Sequence, residues 1–383
     1  MKFLVLGGGA QGSAAAFDLL KRDDVSEVYM GDRDMGALAP FLLKYRTSGK
    51  LKQVEVDADD DSSLYRYMEG MDAVLCALPY YYNLKVSRVA IACGAHSCDL
   101  GGNTAIVEEQ LELDTPARAA GVTVIPDCGL APGLVNILAQ AGIEELDRTE
   151  SVKMYVGGLP QNPVPPLNYQ IVYSLEGVID YYTTQGMVLH EHHPANVEAL
   201  SGLESVDFPE PLGTLEAFHT AGGISTMAFR HEGLVRTMEY KTLRYPGHAD
   251  LMRGIRALGL FDQKPIDVDG CQVSPRKVFI AASTPKLRNP LGRDLVVLRV
   301  VVTGEKDGRP TVVQYDLVDY HDRENLVTAM MRTTGYSLAI TALMQAQGEV
   351  KLDGAETPDA MIPAGPYIAA LAERGIHIQR TVT

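Results

Sequence analysis

The stretch at residues 1–34, MKFLVLGGGAQGSAAAFDLLKRDDVSEVYMGDRD, decides the fold. It begins with a short apolar run at 2–6, of the kind that forms a buried parallel strand. The sequence at 14–21 favours a helix, and a second apolar run follows at 25–30. Strand, helix and strand in this order predict the first unit of a Rossmann-type α/β fold, a doubly wound parallel sheet.

Three glycines join the first strand to the helix. Gly7, Gly9 and Gly12 have the G-x-G-x-x-G spacing: the first permits a tight turn, the second lets the backbone approach a pyrophosphate, and the third lets helix and strand pack closely. Asp32 follows the last glycine by about 20 residues, where a carboxylate accepts the hydroxyls of an adenosine ribose. The predicted cofactor contacts in this unit are Gly7, Gly9, Ala10, Gln11, Gly12, Asp32 and Arg33.

Asp32 and Arg33 bear on the choice between NAD and NADP. The carboxylate would repel a 2′-phosphate and so favours NAD. Arg33 could instead accept that phosphate, or it could stack on the adenine ring. We predict NAD as the cofactor.

Strands and helices continue to alternate as far as residue 128. The ends of the third, fourth and fifth strands should lie at the edge of the sheet where parallel sheets bind ligands. Residues just past the third strand would lie beside the adenine, or would only cap the next helix. The pattern predicts an NAD-binding Rossmann domain at 1–128, completed by 323–383. Further predicted cofactor contacts are Asp57, Ala58, Ala77, Leu78, Asp99 and Gly101.

The pattern changes after residue 128. A loop rich in Pro, Gly and Asn at 157–169 is followed by strands that are separated by long turns. Two of these strands, at 295–303 and 311–318, flank the sequence GEKDG, which indicates a hairpin. We therefore predict a second, α+β domain with a largely antiparallel sheet at 129–322, which would bind substrate and form dimers.

Composition and charge exclude several classes of protein. Of the 383 residues, 46% are hydrophobic and 22% are charged, as in ordinary globular proteins. A formal charge of −15 argues against a nucleic-acid partner. The five cysteines form no C-x-x-C pair, which suits free thiols in a reducing compartment. With no signal peptide before the first strand and no apolar run of ~18 residues, we expect a cytoplasmic protein without membrane contact.

Two residues are candidates for proton transfer in the cleft between the predicted domains. Asp127 follows the sixth strand, although it could only cap the next turn. His219 lies in a stretch too polar and glycine-rich for a core helix. We predict both as catalytic residues.

The predicted substrate contacts lie in the second domain and at the end of the fourth strand. Lys241, Arg244 and His248 surround a strand break at Pro246 and could together hold a carboxylate, or each could be a solvated charge or a helix cap. No metal site is predicted, because the histidines at 190–193 have no second set of ligands at a useful spacing. The substrate contacts that we predict are Tyr80, Tyr169, Lys241, Arg244 and His248.

These motifs resemble the saccharopine dehydrogenase/reductase-like family, and most closely its lysine 6-dehydrogenase branch. The glycine fingerprint with Asp32 carries part of the resemblance. The other motifs are CDLGG at 98–102, IPDCGLAPGLVN at 125–136, YVGGLP at 155–160, LEAFHTAGGIST at 215–226, EYKTLRYPGH at 239–248 and DRENLVTAMMRTT at 322–334.

The resemblance implies NAD-dependent oxidative deamination of the ε-amino group of L-lysine. The product would be 2-aminoadipate 6-semialdehyde, which cyclises to piperideine-6-carboxylate, and ammonia would be released. Relatives that act on saccharopine tend to carry Asn-Arg-Asp-Ser where this chain has AGGIS at 221–225, and the missing arginine favours a smaller substrate. The alternatives are a saccharopine or carboxynorspermidine dehydrogenase, or a sensor that binds NAD without catalysis.

The same resemblance and the edge of one long strand predict that the protein assembles into oligomers. The long strand at 295–303 would offer an edge for pairing with a second copy. We expect a homodimer, or a tetramer built from two dimers.

Overall fold

The computed structural model describes residues 1–34, 36, 38–172, 174–289, 291–351 and 353–383. Within these residues, the first third of the chain alternates between strands and helices, as the sequence predicts. The strands are β1 (Lys2–Leu6), β2 (Glu27–Asp32), β3 (Leu51–Glu55), β4 (Ala73–Cys76), β5 (His96–Asp99) and β6 (Thr123–Ile125). The helices are α1 (Ala10–Leu20), α2 (Asp61–Met68), α3 (Asn83–Ala92), α4 (Thr104–Leu111) and α5 (Asp114–Ala120).

The six strands form a parallel sheet in the order β3–β2–β1–β4–β5–β6. This is the strand order of a doubly wound sheet whose direction of winding reverses between β1 and β4. Phe3, Leu4 and Val5 of β1 are fully buried, as expected for a central strand that is covered on both faces. The predicted Rossmann architecture is confirmed, and ligands in this fold bind at the carboxyl ends of the strands beside the reversal.

The rest of the chain forms a second sheet, a separate hairpin of β13 and β14, one further strand of the first sheet, and the helices around them. The strands are β7 (Arg148–Pro160), β8 (Gly186–His190), β9 (His193–Val197), β10 (Glu204–Phe208), β11 (Gly213–His219), β12 (Thr237–Arg244), β13 (Ile266–Val268), β14 (Cys271–Val273), β15 (Asp294–Lys306), β16 (Arg309–Tyr320), β17 (Gly354–Ala355) and β18 (Ile378–Val382). The helices are α6 (Leu134–Glu144), α7 (Leu175–Thr183), α8 (Met227–Arg230), α9 (His248–Ala257), α10 (Pro275–Leu287), α11 (Ala329–Gln347), α12 (Pro358–Met361) and α13 (Ala364–Glu373). No helix in the described ranges is long and apolar enough to cross a bilayer.

The main path of the second sheet runs β10–β11–β12–β7–β15–β16–β18, with β8 and β9 attached beside β12. Every pair is antiparallel except β12 with β7, so the predicted largely antiparallel sheet is confirmed. The prediction of an exposed edge at 295–303 is wrong. That segment belongs to β15, which pairs with β7 on one side and β16 on the other.

The C-terminal segment contributes to both sheets. β17 pairs with β6 as a seventh strand of the parallel sheet, whereas β18 pairs with β16 of the second sheet. Helix α11 packs against α1, β4 and β5 on one side and against β15 on the other. The exact division of the chain into domains stays a prediction.

Two contacts fix α11 between the sheets. Asp294 of β15, which is 1% exposed, accepts the N–H groups of Ala329 and Met330 at 2.8 and 2.9 Å and so caps the helix. One turn further on, Gly335 faces α1, where an added Cβ would lie 2.7 Å from both the Ala14 Cβ and the Gln11 carbonyl oxygen. The small residue therefore lets the two helices approach closely.

Replacing Gly335 with Ala should destabilise the protein by about 1–3 kcal/mol, because the new methyl group would force α11 away from α1. The matched control is Gly365→Ala, since Gly365 also lies in a helix but no described atom is within 4 Å of its Cβ position. There the higher helix propensity of Ala should be neutral or stabilise by up to about 1 kcal/mol. Urea denaturation measures both changes. Equal effects of the two substitutions would contradict the packing that we describe.

Candidate functional site

The loop between β1 and α1 has the geometry that its glycines predict. Gly7 has a φ of 102°, and a Cβ there would lie 2.7 Å from the carbonyl oxygen of Ala77. A Cβ at Gly12 would lie 1.9 Å from the carbonyl oxygen of Gly7, so only glycine permits this approach. Gly9 is different: it is exposed, and nothing in the described part of the chain lies within 4 Å of its Cβ position. The N-terminus of α1 therefore has room for a phosphate group.

Asp32 lies beside this loop at the end of β2. One of its carboxylate oxygens accepts the N–H of Gly8 at 2.6 Å, and the other accepts the N–H of Asp34 at 3.0 Å. The neighbouring Arg33 is exposed, and its guanidinium lies 3.8 Å from a carboxylate oxygen of Asp59. The cation that the sequence offered for a 2′-phosphate thus lies near an acidic residue, in an exposed and weak ion pair.

The next two strand ends lie around the same crevice. Asp57 accepts the N–H of Asp59 at 3.0 Å and so stabilises the turn before α2, while Ala58 is buried. Ala77 and Leu78 follow β4, and the Ala77 carbonyl faces Gly7. Contact between these residues and a cofactor stays a prediction.

The residues in this crevice fit a dinucleotide. The Gly9 backbone is open to a phosphate, as described above. Two residues after Gly9, the side-chain oxygen of Gln11 is buried and has no hydrogen-bond partner among the described residues. A buried polar atom without a partner costs free energy, and a polar group on a bound ligand would offset that cost.

A cavity of about 240 Å³ lies between the two sheets. Tyr240, Thr242 and Arg244 all line it, because alternate residues of β12 point to the same face of the sheet. Arg244 is the cationic residue of the cavity lining and is only 4% exposed. The remaining lining residues are Gln11, Leu100, Gly129, Leu130, Ala131, Pro132, Val156, Gly158, Tyr181, Thr220, Ala221, Met330 and Thr334.

Three buried residues pack around Arg244 or its hydrogen-bond partner on the side away from the cavity. Its Nε donates to the hydroxyl of Tyr182 at 3.1 Å, and its guanidinium carbon lies 5.1 Å from the centre of the Tyr169 ring. Burial lowers the pKa of His248 to about 3, so the neutral ring donates from Nδ1 to the Leu167 carbonyl and accepts at Nε2 from Tyr182. Tyr169 and His248 thus lie behind Arg244 and are not among the lining residues, so their contact with substrate stays a prediction.

Lys241 and His219 lie on the opposite face of the second sheet. Lys241 pairs with Glu204 at 2.6 Å, and His219 Nε2 lies 2.9 Å from a carboxylate oxygen of Glu239. Neither residue lines the cavities of the cleft. The predicted cluster of Lys241 with Arg244 is therefore wrong, because odd and even positions of β12 face different sides. The same geometry contradicts the prediction that His219 lies in the cleft.

A second cavity, of about 600 Å³, adjoins the first and shares Pro132, Tyr181 and Ala221 with it. Tyr80 and Asp127 line this second cavity. Tyr80 is exposed, whereas Asp127 is 2% exposed. The structure therefore places both predicted residues in the cleft, next to the cavity that holds Arg244.

Two carboxylates are buried close together at the ends of β5 and β6. Asp99 accepts from Gln110 Nε2 at 2.7 Å, from the Gly101 N–H at 2.7 Å and from the Asp127 N–H at 3.4 Å. Gly101 must be glycine, since a Cβ there would lie 1.7 Å from a carboxylate oxygen of Asp127. Burial raises the pKa of Asp99 to about 6 in spite of these donors.

Burial also raises the pKa of Asp127 to about 7. A hydrogen bond from Ser225 lowers this pKa, whereas the negative charges of Asp99 and Asp359 raise it. A carboxyl group with a pKa near neutrality can accept and return a proton under physiological conditions, which is what a general base requires.

Several residues of the site escaped the sequence analysis. Tyr240 and Thr242 could have been found, because they stand four and two positions before Arg244 on the same strand. Ser225 and Asn136 carry no local signal. They reach the site through a loop after β11 and through α6, and only the tertiary structure brings these together.

Two family models match the chain in sequence. Residues 3–125 match the saccharopine dehydrogenase NADP-binding domain, and residues 129–376 match the saccharopine dehydrogenase C-terminal domain.

Individual relatives are more distant. The mitochondrial alpha-aminoadipic semialdehyde synthase of Bos taurus is 26% identical over 98% of this chain, which spans 47% of that protein. The saccharopine dehydrogenase [NADP(+), L-glutamate-forming] of Saccharomyces cerevisiae is 26% identical over 67% of this chain and 58% of its own length. The chain thus spans about half the length of these relatives.

Solved structures share the fold. Apo saccharopine dehydrogenase (L-Glu forming) from Saccharomyces cerevisiae superposes with a TM-score of 0.81 at 21% identity, covering 100% of this chain and 99% of its own. Homospermidine synthase from Legionella pneumophila, in complex with NAD, superposes with a TM-score of 0.69 at 13% identity, covering 99% and 91%.

Replacing Asp127 with Asn should stabilise the protein at alkaline pH. The folded-state pKa of about 7 lies above the ordinary value, so the wild type loses stability as pH rises through about 7, and the amide does not. We expect a melting temperature a few degrees above wild type at about pH 8, and a difference that shrinks as the pH falls towards about 3, below the ordinary pKa of an aspartate, where the acid becomes neutral in both states. Calorimetry at several pH values measures this.

The control is Asp307→Asn in the exposed turn between β15 and β16, which has a similar backbone φ, 51° against 61°. It should leave the melting temperature unchanged at every pH. A gain for Asp127→Asn that did not depend on pH would show that its carboxyl is not a buried titrating group.

Proposed function

The chain belongs to the saccharopine dehydrogenase family, and we propose that it is an NAD-dependent lysine 6-dehydrogenase, which oxidises the ε-amino group of L-lysine. The observation that supports this most is the pair of adjoining cavities, one lined by Arg244 and the other by Asp127. A guanidinium suits the α-carboxylate of an amino acid, and a buried carboxylate suits a reacting amine. A small amino acid could span the two.

The chemistry requires a neutral amine. The ε-ammonium of lysine has an ordinary pKa of about 10.4, so a base must take its proton before hydride can leave the ε-carbon. Asp127 would accept that proton. A bound nicotinamide supplies the hydride acceptor. Asp127 would then move protons as water adds to the substrate imine, so that lysine, NAD⁺ and water give the semialdehyde, ammonium, NADH and a proton.

The loop at 220–226 favours a substrate without a second dicarboxylate arm. A Cβ at Gly223 would lie 2.4 Å from the ring of Tyr240, and Gly222 has a φ of 95° with Tyr181 beside it. Aromatic rings thus occupy the space that a longer side chain at these two positions would need. The two glycines therefore offer no cation to pair with the extra carboxylates of a larger substrate. Burying such carboxylates unpaired would cost several kcal/mol.

A saccharopine dehydrogenase is the second candidate, because relatives with that name match this chain. The two candidates differ in how the ε-nitrogen of the substrate is released: as ammonia from lysine, or as part of an amino acid from saccharopine. The second cavity, of about 600 Å³, has room for either substrate, and the loop at 220–226 is what favours lysine.

The discriminating experiment records NADH or NADPH absorbance with L-lysine, saccharopine and L-ornithine as substrates. We expect L-lysine with NAD to react fastest, with kcat/KM rising with pH as Asp127, with a pKa of about 7, and then the amine lose protons. Ammonia should form in equal amount to NADH. Faster reduction with saccharopine than with lysine would overturn the substrate, and binding of NAD without any reaction would favour a sensor.

Asp32 supports NAD as the cofactor, although the matched domain is described as NADP-binding. Replacing Asp32 with Ala should weaken NAD binding about tenfold and reduce discrimination against NADP, because the carboxylate would no longer meet the ribose hydroxyls or repel a 2′-phosphate. Asp23→Ala, an exposed carboxylate in the turn before β2, is the control. Isothermal titration with both cofactors tests this, and tighter binding of NADP than of NAD by the wild type would refute it.

We also propose that the protein forms a homodimer. Ile266 and Val268 in the β13–β14 hairpin and Val278 of α10 are each about half exposed, at 54%, 48% and 49%. A two-stranded hairpin is only marginally stable alone, and exposed apolar side chains on such a hairpin suit contact with a second copy of the chain. Light scattering should give twice the monomer mass, and Ile266→Asp should shift it towards monomer. A monomeric wild type would exclude the proposal.

A further inference from the structure

The loop at 220–226 leaves the second sheet after β11 and makes three hydrogen bonds, two with Asn136 of α6 and one with Asp127 beyond the end of β6. Asn136 of α6 donates from Nδ2 to the carbonyls of Gly223 and Ile224 at 3.2 and 3.3 Å. Ser225 donates from its hydroxyl to a carboxylate oxygen of Asp127 in a short hydrogen bond. The carboxylate of Asp127 is therefore held by a residue from the opposite side of the cleft.

Both ends of this hydrogen bond have an unusual backbone. Asp127 has a φ of 61° and Ser225 has a φ of 49°, in the left-handed region that residues other than glycine rarely adopt. Aspartate tolerates this region better than serine does. Such conformations persist where the surrounding structure imposes them, and they concentrate at functional sites. Ser225 thus has a strained backbone conformation that a glycine would adopt without strain, and its hydroxyl contacts Asp127.

The charged groups that face Asp127 oppose its ionisation. Asp99 of β5 and Asp359 of α12 are acidic, and Tyr181 of α7 and Cys128 beside it are neutral or become negative on titration. Burial acts in the same direction. The Ser225 hydroxyl opposes them, because donation to a carboxylate stabilises its charged form.

From this geometry we infer that Ser225 is a positioning residue for Asp127: its hydroxyl fixes the direction of the carboxylate and keeps it able to ionise at neutral pH. The catalytic part of this inference rests on the proposed function, whereas the ionisation of Asp127 does not. Ser225 would not touch the reacting atoms. Its effect on catalysis would pass through Asp127.

The test compares Ser225→Ala with Ser225→Gly. Both variants lack the hydroxyl, but glycine also fits the left-handed backbone without strain. If the hydroxyl is what matters, the acid limb of the kcat/KM profile for lysine should move up by roughly one pH unit in both variants. At high pH, where Asp127 is ionised in all forms, the variants should recover most of the wild-type rate. Ser205→Ala, an exposed serine on β10, should leave the profile unchanged.

An infrared titration without substrate makes the outcome independent of the proposed function. The carbonyl band of the protonated Asp127 side chain is identified by its loss in Asp127→Asn, and its midpoint is followed in each variant. We expect the midpoint to rise in both Ser225→Ala and Ser225→Gly. An unchanged midpoint in both, a shift in Ser225→Ala alone, or no titrating band at Asp127 would overturn the inference. Failure of lysine and saccharopine as substrates would refute only the proposed function.

Discussion

The close approach of α11 to α1 is the constraint on which the cleft depends. Gly335 permits that approach, and the carboxylate of Asp294 fixes the start of the same helix to β15 of the second sheet. Between these two points, Met330 and Thr334 form part of the cavity wall. The spacing of the two sheets, and with it the width of the site, therefore follows from one small residue and one helix cap.

The positively charged Arg244 and the acidic Asp127 line different, adjoining cavities of the cleft. Arg244 is held from behind by the hydroxyl of Tyr182 and the ring of Tyr169, so its position is set by buried neutral groups. Asp127 lies in the adjoining cavity, close to Asp99, and two buried carboxylates that close disfavour each other's ionisation. A zwitterionic substrate with a distant amine matches this arrangement better than a substrate with several carboxylates does.

The sequence predicted the features that local pattern controls. Gly7 and Gly12 make the close backbone approaches that their spacing implies, and the parallel strand order follows from the strand–helix alternation. Gly9 is open to a ligand, and its contact with a pyrophosphate stays a prediction. Asp127 was predicted to lie in the cleft because ligands bind at the carboxyl ends of parallel strands, and it lines the second cavity. The errors concern long-range pairing: the sequence did not show that β15 would have neighbours on both sides. Lys241 was grouped with Arg244 although an odd spacing in a strand separates their faces, so this error could have been avoided. Ser225 could not have been found, since its role depends on a loop crossing between two sheets.

In the reaction that we propose, Asp127 accepts the proton that must leave before hydride transfer. Single-turnover formation of NADH, with saturating NAD and L-lysine, measures that step in the wild type and in Asp127→Asn, while calorimetry measures NAD binding in both. We expect NAD binding to remain within about twofold and the rate of hydride transfer to fall by about 10²–10⁴-fold, the usual contribution of a general base. A variant that binds NAD and forms NADH at the wild-type rate would show that another group is the base.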